Sequence, residues 1–290
     1  MKFTKKLVRF VVALSVGLVL LAPQAQAQQG NIVLFGDSFF ANPTYDQIGS
    51  HARNLTSSTI LDDYQVPGHL SPTGCPQGGH TVGTALASST GVHVDNYACS
   101  AATAVKPSPR TDFAGQVDAA IAHGALRADT RNIIINIGIN DFRRNPFDTL
   151  TMNRVIEEVS PQVERMKRVS PNAKITTMSY PAISAPNGGL CPIRTVSNSG
   201  VGVNIDPLGV IMRRNEMFAG QAMYRVAQQT RVNFFDMNKA TEFNNMCAPN
   251  AIRWVASPFE YALPHNLDSH LTHQGVYGVA NIIRHDIVGL

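Results

Sequence analysis

The chain has 290 residues, with 24 lysines and arginines against 20 acidic residues, and 44% of it is hydrophobic. Charged residues make up only 15%, which excludes a disordered polyelectrolyte. Four of the basic residues (Lys2, Lys5, Lys6 and Arg9) stand at the very start, so the remainder is near neutral and carries no basic stripe for nucleic acid.

Those four cations precede an apolar run over residues 10–22, and Ala25-Gln26-Ala27 then supplies a small-x-small site. This order predicts a cleaved secretory signal over residues 1–27. The run falls short of the roughly 20 residues of a spanning helix, so no stable membrane anchor is expected after cleavage. The mature chain, residues 28–290, is read as one domain that is secreted or held in the cell envelope or periplasm.

Residues 32–35 form a short apolar strand ending at Gly36-Asp37-Ser38. Residues 41–80 carry little periodicity and read as a long loop, a feature more often functional than idle. A helix is expected over residues 81–89, stopped by Gly91, then an alternating strand over 92–98 and an amphipathic helix over 113–126. Asn132 opens the most convincing buried strand, residues 132–137 (NIIINI), whose β-branched run suits a sheet covered on both faces. A helix over 149–169 ends before Pro171, and a strand over 174–180 stops at Pro181. A second loop region covers 182–206. A long helix over 208–230, a strand over 232–236 and a closing helix over 274–287 complete the chain. Strand and helix alternate about five times, which predicts a parallel sheet between helix layers.

The four cysteines are Cys75, Cys99, Cys191 and Cys247, all in the exported part. An even count in an oxidising compartment favours two disulfides. Of the three possible pairings, Cys75–Cys99 with Cys191–Cys247 closes the shortest loops and is the one expected. A zinc site is disfavoured because no C-x-x-C pair is present.

Ligands of open parallel sheets bind at the carboxyl ends of the strands. Three polar clusters follow strands directly: Gly36-Asp37-Ser38, Cys99-Ser100-Ala101-Ala102-Thr103 and Gly138-Ile139-Asn140-Asp141. A fourth, from Asp268 to Gly275, precedes the last helix. Acyl transfer needs a hydroxyl nucleophile, a base and donors for an oxyanion. Ser38 can supply the first and His270 the second. The backbone N–H groups of Ser38 and Ala101 and the amide of Asn140 can supply the donors. Asp141 is expected to brace its loop. His270 and His273 also make an H-x-x-H pattern with His285 beyond, but no carboxylate or cysteine completes a metal site, and no metal or other cofactor is expected.

In order along the chain, these blocks resemble the SGNH/GDSL hydrolase family, and particularly its secreted actinobacterial esterase and lipase branch. Gly36-Asp37-Ser38 matches the first block and Gly138-Ile139-Asn140-Asp141 the third. Asn96-Tyr97-Ala98-Cys99-Ser100-Ala101-Ala102-Thr103 stands in place of the second, N-x-A-C-S-G-A-T. Asp268 to Gly275 approximates the last, D-x-x-H. His270 is preferred to His265 and His273 because Leu271-Thr272 and Gly275 follow it as in the family. The resemblance implies a flavodoxin-like three-layer α/β/α fold and ester hydrolysis through an acyl-enzyme without a cofactor. It also places a cysteine where Cys75 pairs with Cys99.

Two departures stand out. Ala101 replaces the oxyanion glycine, and the family's aspartate position is Leu267, leaving Asp268 only two residues before His270. Asp268 is assigned as the triad acid, with a backbone carbonyl and a Ser–His dyad as the alternative. The expected substrate is a lipid ester, a short acyl ester or an acylated glycan, handled by a monomer. Phe39, Phe40 and Tyr45 suggest an apolar acyl site shaped by the two long loops. An envelope acyltransferase or polysaccharide O-deacetylase would use the same residues. A member that binds glycan or lipid without turnover would account for both departures.

Overall fold

The computed structural model describes residues 30–48, 67–194 and 208–290. The signal read over residues 1–27, and parts of the loops at 41–80 and 182–206, lie outside the described residues. Among the described residues no helix is long and apolar enough to cross a membrane.

Strand β1 (Ile32–Gly36) is the second strand of a five-stranded sheet. It lies parallel between β4 (Val94–Asn96) and β5 (Asn132–Asn136). Beyond β5 follow β6 (Lys174–Met178) and β8 (Asn233–Phe235), also parallel. The order β4-β1-β5-β6-β8 reverses direction next to β1, which opens a crevice at the carboxyl ends of β1 and β5. Ile32, Val33, Leu34 and Phe35 alternate between the two faces of the sheet and all are fully buried, as are Ile133, Ile134 and Ile135. Both faces are therefore covered, and the fold is a three-layer α/β/α sandwich. One helix group contains α3 (Val82–Thr90) and α9 (His273–Ile282), the other α4 (Phe113–Ala122), α6 (Thr151–Val169) and α7 (Leu208–Thr230).

Several boundaries differ from those expected. β4 is shorter than residues 92–98 because the side chain of Asn96 takes up backbone groups, donating to Phe40 O and accepting from Ala98 N. Tyr97 N and Cys99 N still bond to Leu34 O and Gly36 O, so the chain stays on the edge of β1 as far as the second polar cluster. α4 stops at Ala122 because Gly124 takes a φ of +69°. The closing helix ends at Ile282 and continues as a π-helical turn over Ile283–Val288. Short helices lie directly after strands: α1 (Ser38–Ala41) after β1, α5 (Ile139–Arg144) after β5 and α8 (Met237–Ala240) after β8. Between α1 and α3 come α2 (Tyr45–Ile48) and the antiparallel pair β2 (His69–Leu70) and β3 (Pro76–Gln77).

Cys75 is joined to Cys99 and Cys191 to Cys247, with Cα atoms 5.3 and 5.1 Å apart. Near the second bridge, β7 (Ile193–Arg194) pairs with β9 (Phe259–Glu260). Arg253 and Glu260 form a fully buried ion pair there, and Glu260 also accepts from the N–H groups of Ser257, Ala262 and Leu263. This network fixes the loop that runs beside the His270 segment.

Candidate active site

Ser38 is the first residue of α1, directly past β1. Asp37 caps the helix by accepting from Phe39 N at 3.1 Å, so the chain turns sharply and the serine hydroxyl faces the crevice. Gly36 has no room for a side chain, since a Cβ there would lie 2.4 Å from Asn136 O. The buried Gln116 holds both sides of Gly36, accepting from its N–H and donating to its carbonyl.

His270 arrives on a segment clamped to residues 254–256. Ala256 N donates to His270 O at 2.8 Å, and Ser269 N to Ala256 O at 3.0 Å. The imidazole Nε2 lies 2.7 Å from Ser38 Oγ, and Nδ1 lies 2.7 Å from the backbone carbonyl of Asp268. A carbonyl only accepts, so Nδ1 carries the proton and Nε2 is left to accept from the serine hydroxyl. Ser269 has a φ of +57°, the backbone state that turns the Asp268 carbonyl back onto the ring. The carbonyl, and not the carboxylate, therefore meets the imidazole. Among the described residues the Asp268 carboxylate makes no hydrogen bond to His270. From two residues before the histidine, Asp268 meets Nδ1 through its backbone carbonyl, and its carboxylate acts on the ring through charge alone. Burial holds the His270 imidazole below the usual histidine value, opposed by the Asp268 carbonyl and charge. Phe39 stacks on the ring at 5.2 Å.

The second cluster brings Ala101 to the same crevice. Its φ is +61°, a conformation that an alanine adopts only at a cost of roughly 1–2 kcal/mol. Ala101→Gly is therefore expected to stabilise the fold by about 1 kcal/mol, read as a rise in Tm of roughly 2–4 °C by calorimetry. Among the described residues, neither Ser38 N–H nor Ala101 N–H donates to a protein acceptor, although both residues line the cleft.

Asn140 lies in the first turn of α5, whose N-cap Gly138 has a φ of +118°. Its amide donates to Ala102 O at 3.0 Å and to Asp37 Oδ2 at 3.3 Å. Asp37 Oδ2 also accepts from the Tyr180 hydroxyl at 2.5 Å, and that hydroxyl accepts from Ile139 N. Burial pushes the Asp37 carboxyl up to about 7, against the pull of the Tyr180 and Phe39 donors. Asp141 accepts from Ala104 N and Val105 N and so holds the loop beyond Ala101. Burial likewise pushes its carboxyl up to about 6.

Ser38, Ala101, Asn140 and His270 all line one cleft of about 270 Å³. The sequence profile of the GDSL-like Lipase/Acylhydrolase family matches residues 34–276, which include every one of these positions. The chain belongs to that family. As a GDSL-like acylhydrolase it is a carboxylic ester hydrolase, and its five-stranded α/β/α fold is that of solved relatives. An extracellular lipase from Streptomyces rimosus superposes with a TM-score of 0.53 at 14% identity, over 88% of this chain and 98% of that one. A phospholipase A1 from Streptomyces albidoflavus NA297 gives 0.55 at 14%, again over 88% and 98%. No curated protein matches the chain in sequence.

The other residues singled out by the sequence of this acylhydrolase divide between the cleft and its surroundings. Phe39 and Tyr45 line the cleft, whereas Phe40 packs in the core at 2% exposure. His265 is buried with Nδ1 at 2.9 Å from Leu263 O, and His273 packs on His80 at 4.2 Å. Among the described residues no group of three or more histidine, cysteine or acidic side chains gathers as a metal site. Gln116 and Tyr180 carry no sequence signal that marks them. Each supports the site from a remote element, and neither belongs to a local motif.

Proposed function

We propose that this acylhydrolase works by a Ser–His dyad and an acyl-enzyme, on substrates that meet it outside the cytoplasm. The observation that carries the reading is the 2.7 Å contact between Ser38 Oγ and His270 Nε2, in a cleft that also presents two unpaired backbone N–H groups. His270 takes the Ser38 proton as the hydroxyl attacks the ester carbonyl. Charge developing on the carbonyl oxygen is met by Ser38 N–H, Ala101 N–H and the Asn140 amide. The longer Asn140 bond, to Asp37, is the one exchanged for the oxyanion. Tyr180 and Phe39 N–H still hold Asp37 when that happens. Protonated His270 then delivers its proton to the leaving alcohol, and water repeats the sequence on the acyl-enzyme.

The carbonyl of Asp268 takes the orienting role in this scheme. In a triad, changing the orienting aspartate to asparagine costs about 10⁴-fold because the imidazole tautomer is lost. Asp268→Asn leaves the carbonyl in place, so kcat is expected to fall by less than about threefold. Because the base must be neutral and burial lowers its pKa, kcat/KM should rise with pH below the usual histidine value of about 6.5. A steady-state pH profile of wild type and Asp268→Asn checks both. A loss of about a thousandfold in the variant would return the carboxylate to the mechanism.

Export is supported by the two disulfides and by the signal pattern over residues 1–27. The similar Streptomyces lipase and phospholipase favour lipid esters as substrates, and residues 28–290 as one catalytic unit. The test is fluorophosphonate labelling of the mature protein alongside hydrolysis of p-nitrophenyl esters. Label on Ser38 that disappears in His270→Ala supports the dyad. Turnover with no label on Ser38 would place the nucleophile elsewhere.

A further inference from the structure

A second cavity of about 290 Å³ opens beside the catalytic cleft. Leu190, Pro192, Ile211, Met212, Met246 and Pro258 line it, giving it a hydrocarbon surface. Arg143, Met212, Asn215 and Ser269 line both cavities, so the two meet at a common waist. Arg143 stands one turn beyond Asn140 on α5, and Ser269 precedes His270, so the waist adjoins the reacting groups.

The walls of this second cavity come from chain segments joined by the Cys191–Cys247 disulfide. Leu190 and Pro192 flank Cys191, and Met246 precedes Cys247. The same segments are stitched further: Phe259 N donates to Pro192 O at 2.8 Å, Ser257 Oγ to Cys191 O at 2.6 Å, and Arg194 to Ala248 O. Met246 N donates to Ile183 O at 3.0 Å, and Ile183 itself lines the catalytic cleft.

Resting on the ester-hydrolase reading, we infer that this cavity is the limb that receives the acyl chain, and that the Cys191–Cys247 disulfide determines acyl-length preference by holding its walls. The chemistry selects the occupant. The limb's polar lining is confined to Arg143, Asn215 and Ser269 at the waist; beyond them the leucine, isoleucine, methionine and proline walls offer little to a sugar or a charged alcohol but remove methylenes from water. The acyl group is also the part that stays bound to Ser38 after the alcohol has left, so an apolar limb beside the cleft suits it, while the alcohol needs an exit to solvent. Arg143 at the waist is exposed, so its aliphatic stem is available to such a chain while the guanidinium stays in water.

Ile211→Trp, on the half-buried face of α7, fills the limb, and Cys191→Ser/Cys247→Ser unties it. The readout is the ratio of kcat/KM for p-nitrophenyl octanoate to that for p-nitrophenyl acetate. Ile211→Trp is expected to lower this ratio at least about tenfold, because several methylenes lose their site. The cysteine variant should lower it in the same direction by a smaller factor; a folded cysteine variant with the wild-type ratio overturns the role of the disulfide, and Cys191→Ala/Cys247→Ala gives the same readout if the serine pair does not fold. An unchanged ratio in Ile211→Trp overturns the inference. So does a selective loss on octyl acetate, which would put the alcohol in the limb. Decanoate binding by calorimetry separates the two readings. Binding that Ile211→Trp abolishes, in a protein that turns over no ester, would leave the limb standing and remove the hydrolase mechanism.

Discussion

Ser38→Ala is expected to reduce ester turnover to the level set by binding alone, a loss in kcat on the order of 10⁶-fold, and His270→Ala to cost about as much. The two act as one unit. Ser38 Oγ is 2.7 Å from Nε2, and the Asp268 carbonyl leaves that nitrogen as the acceptor. Removing either partner destroys the activated hydroxyl, so the double variant should be no worse than either single one. Both side chains are held by backbone contacts that the substitutions leave intact: the α1 cap at Asp37 for Ser38, and the Ala256 pairing for His270. The melting temperature should therefore move little while kcat collapses. Pre-steady-state kinetics on p-nitrophenyl acetate reads the outcome, since both the burst and the steady-state rate should vanish. A residual rate within about tenfold of wild type in Ser38→Ala would refute the assignment.

Asn140→Ala carries the next largest expected effect. Loss of one oxyanion donor costs about 2.7–4 kcal/mol of transition-state stabilisation, or roughly 10²–10³ in kcat. KM should change far less, because the developing charge that the amide meets is absent from the bound ester. The amide also ties Ala102 O to Asp37 Oδ2, so the variant loses about 1 kcal/mol of stability as well. A split of kcat against KM distinguishes the two contributions: a purely structural Asn140 would leave kcat unchanged in the folded fraction. Tyr180→Phe is the informative companion. It removes the hydroxyl that bridges Asp37 and Ile139 N but touches no substrate.

The local sequence determined a good part of this. Short continuous β-branched and apolar runs such as residues 132–137 suit strands buried on both faces, and their alternation with amphipathic helices predicts a parallel sheet. That Ser38, Ala101 and Asn140 line one cleft was readable because the carboxyl ends of the strands converge at the crevice in such a sheet. Four short blocks in order along one chain then marked the family that the profile match over residues 34–276 shows.

Tertiary structure decided what acts between segments distant in the chain. Whether Asp268 meets His270 through its carboxylate or its carbonyl depends on a positive φ at Ser269 and on pairing with residues 254–256, neither of which leaves a periodic signature. The short α5 helix leaves no sequence signature, because six residues carry too little periodicity to register. Gln116 gripping Gly36 across 80 positions, and Tyr180 reaching Asp37 across 143, are contacts of a packed interior, where hydrogen-bond partners are chosen by the crossing of elements. Composition and spacing name the groups that can react. Only the folded chain sets which lone pair faces which proton, because that choice is made by a few ångströms of backbone position.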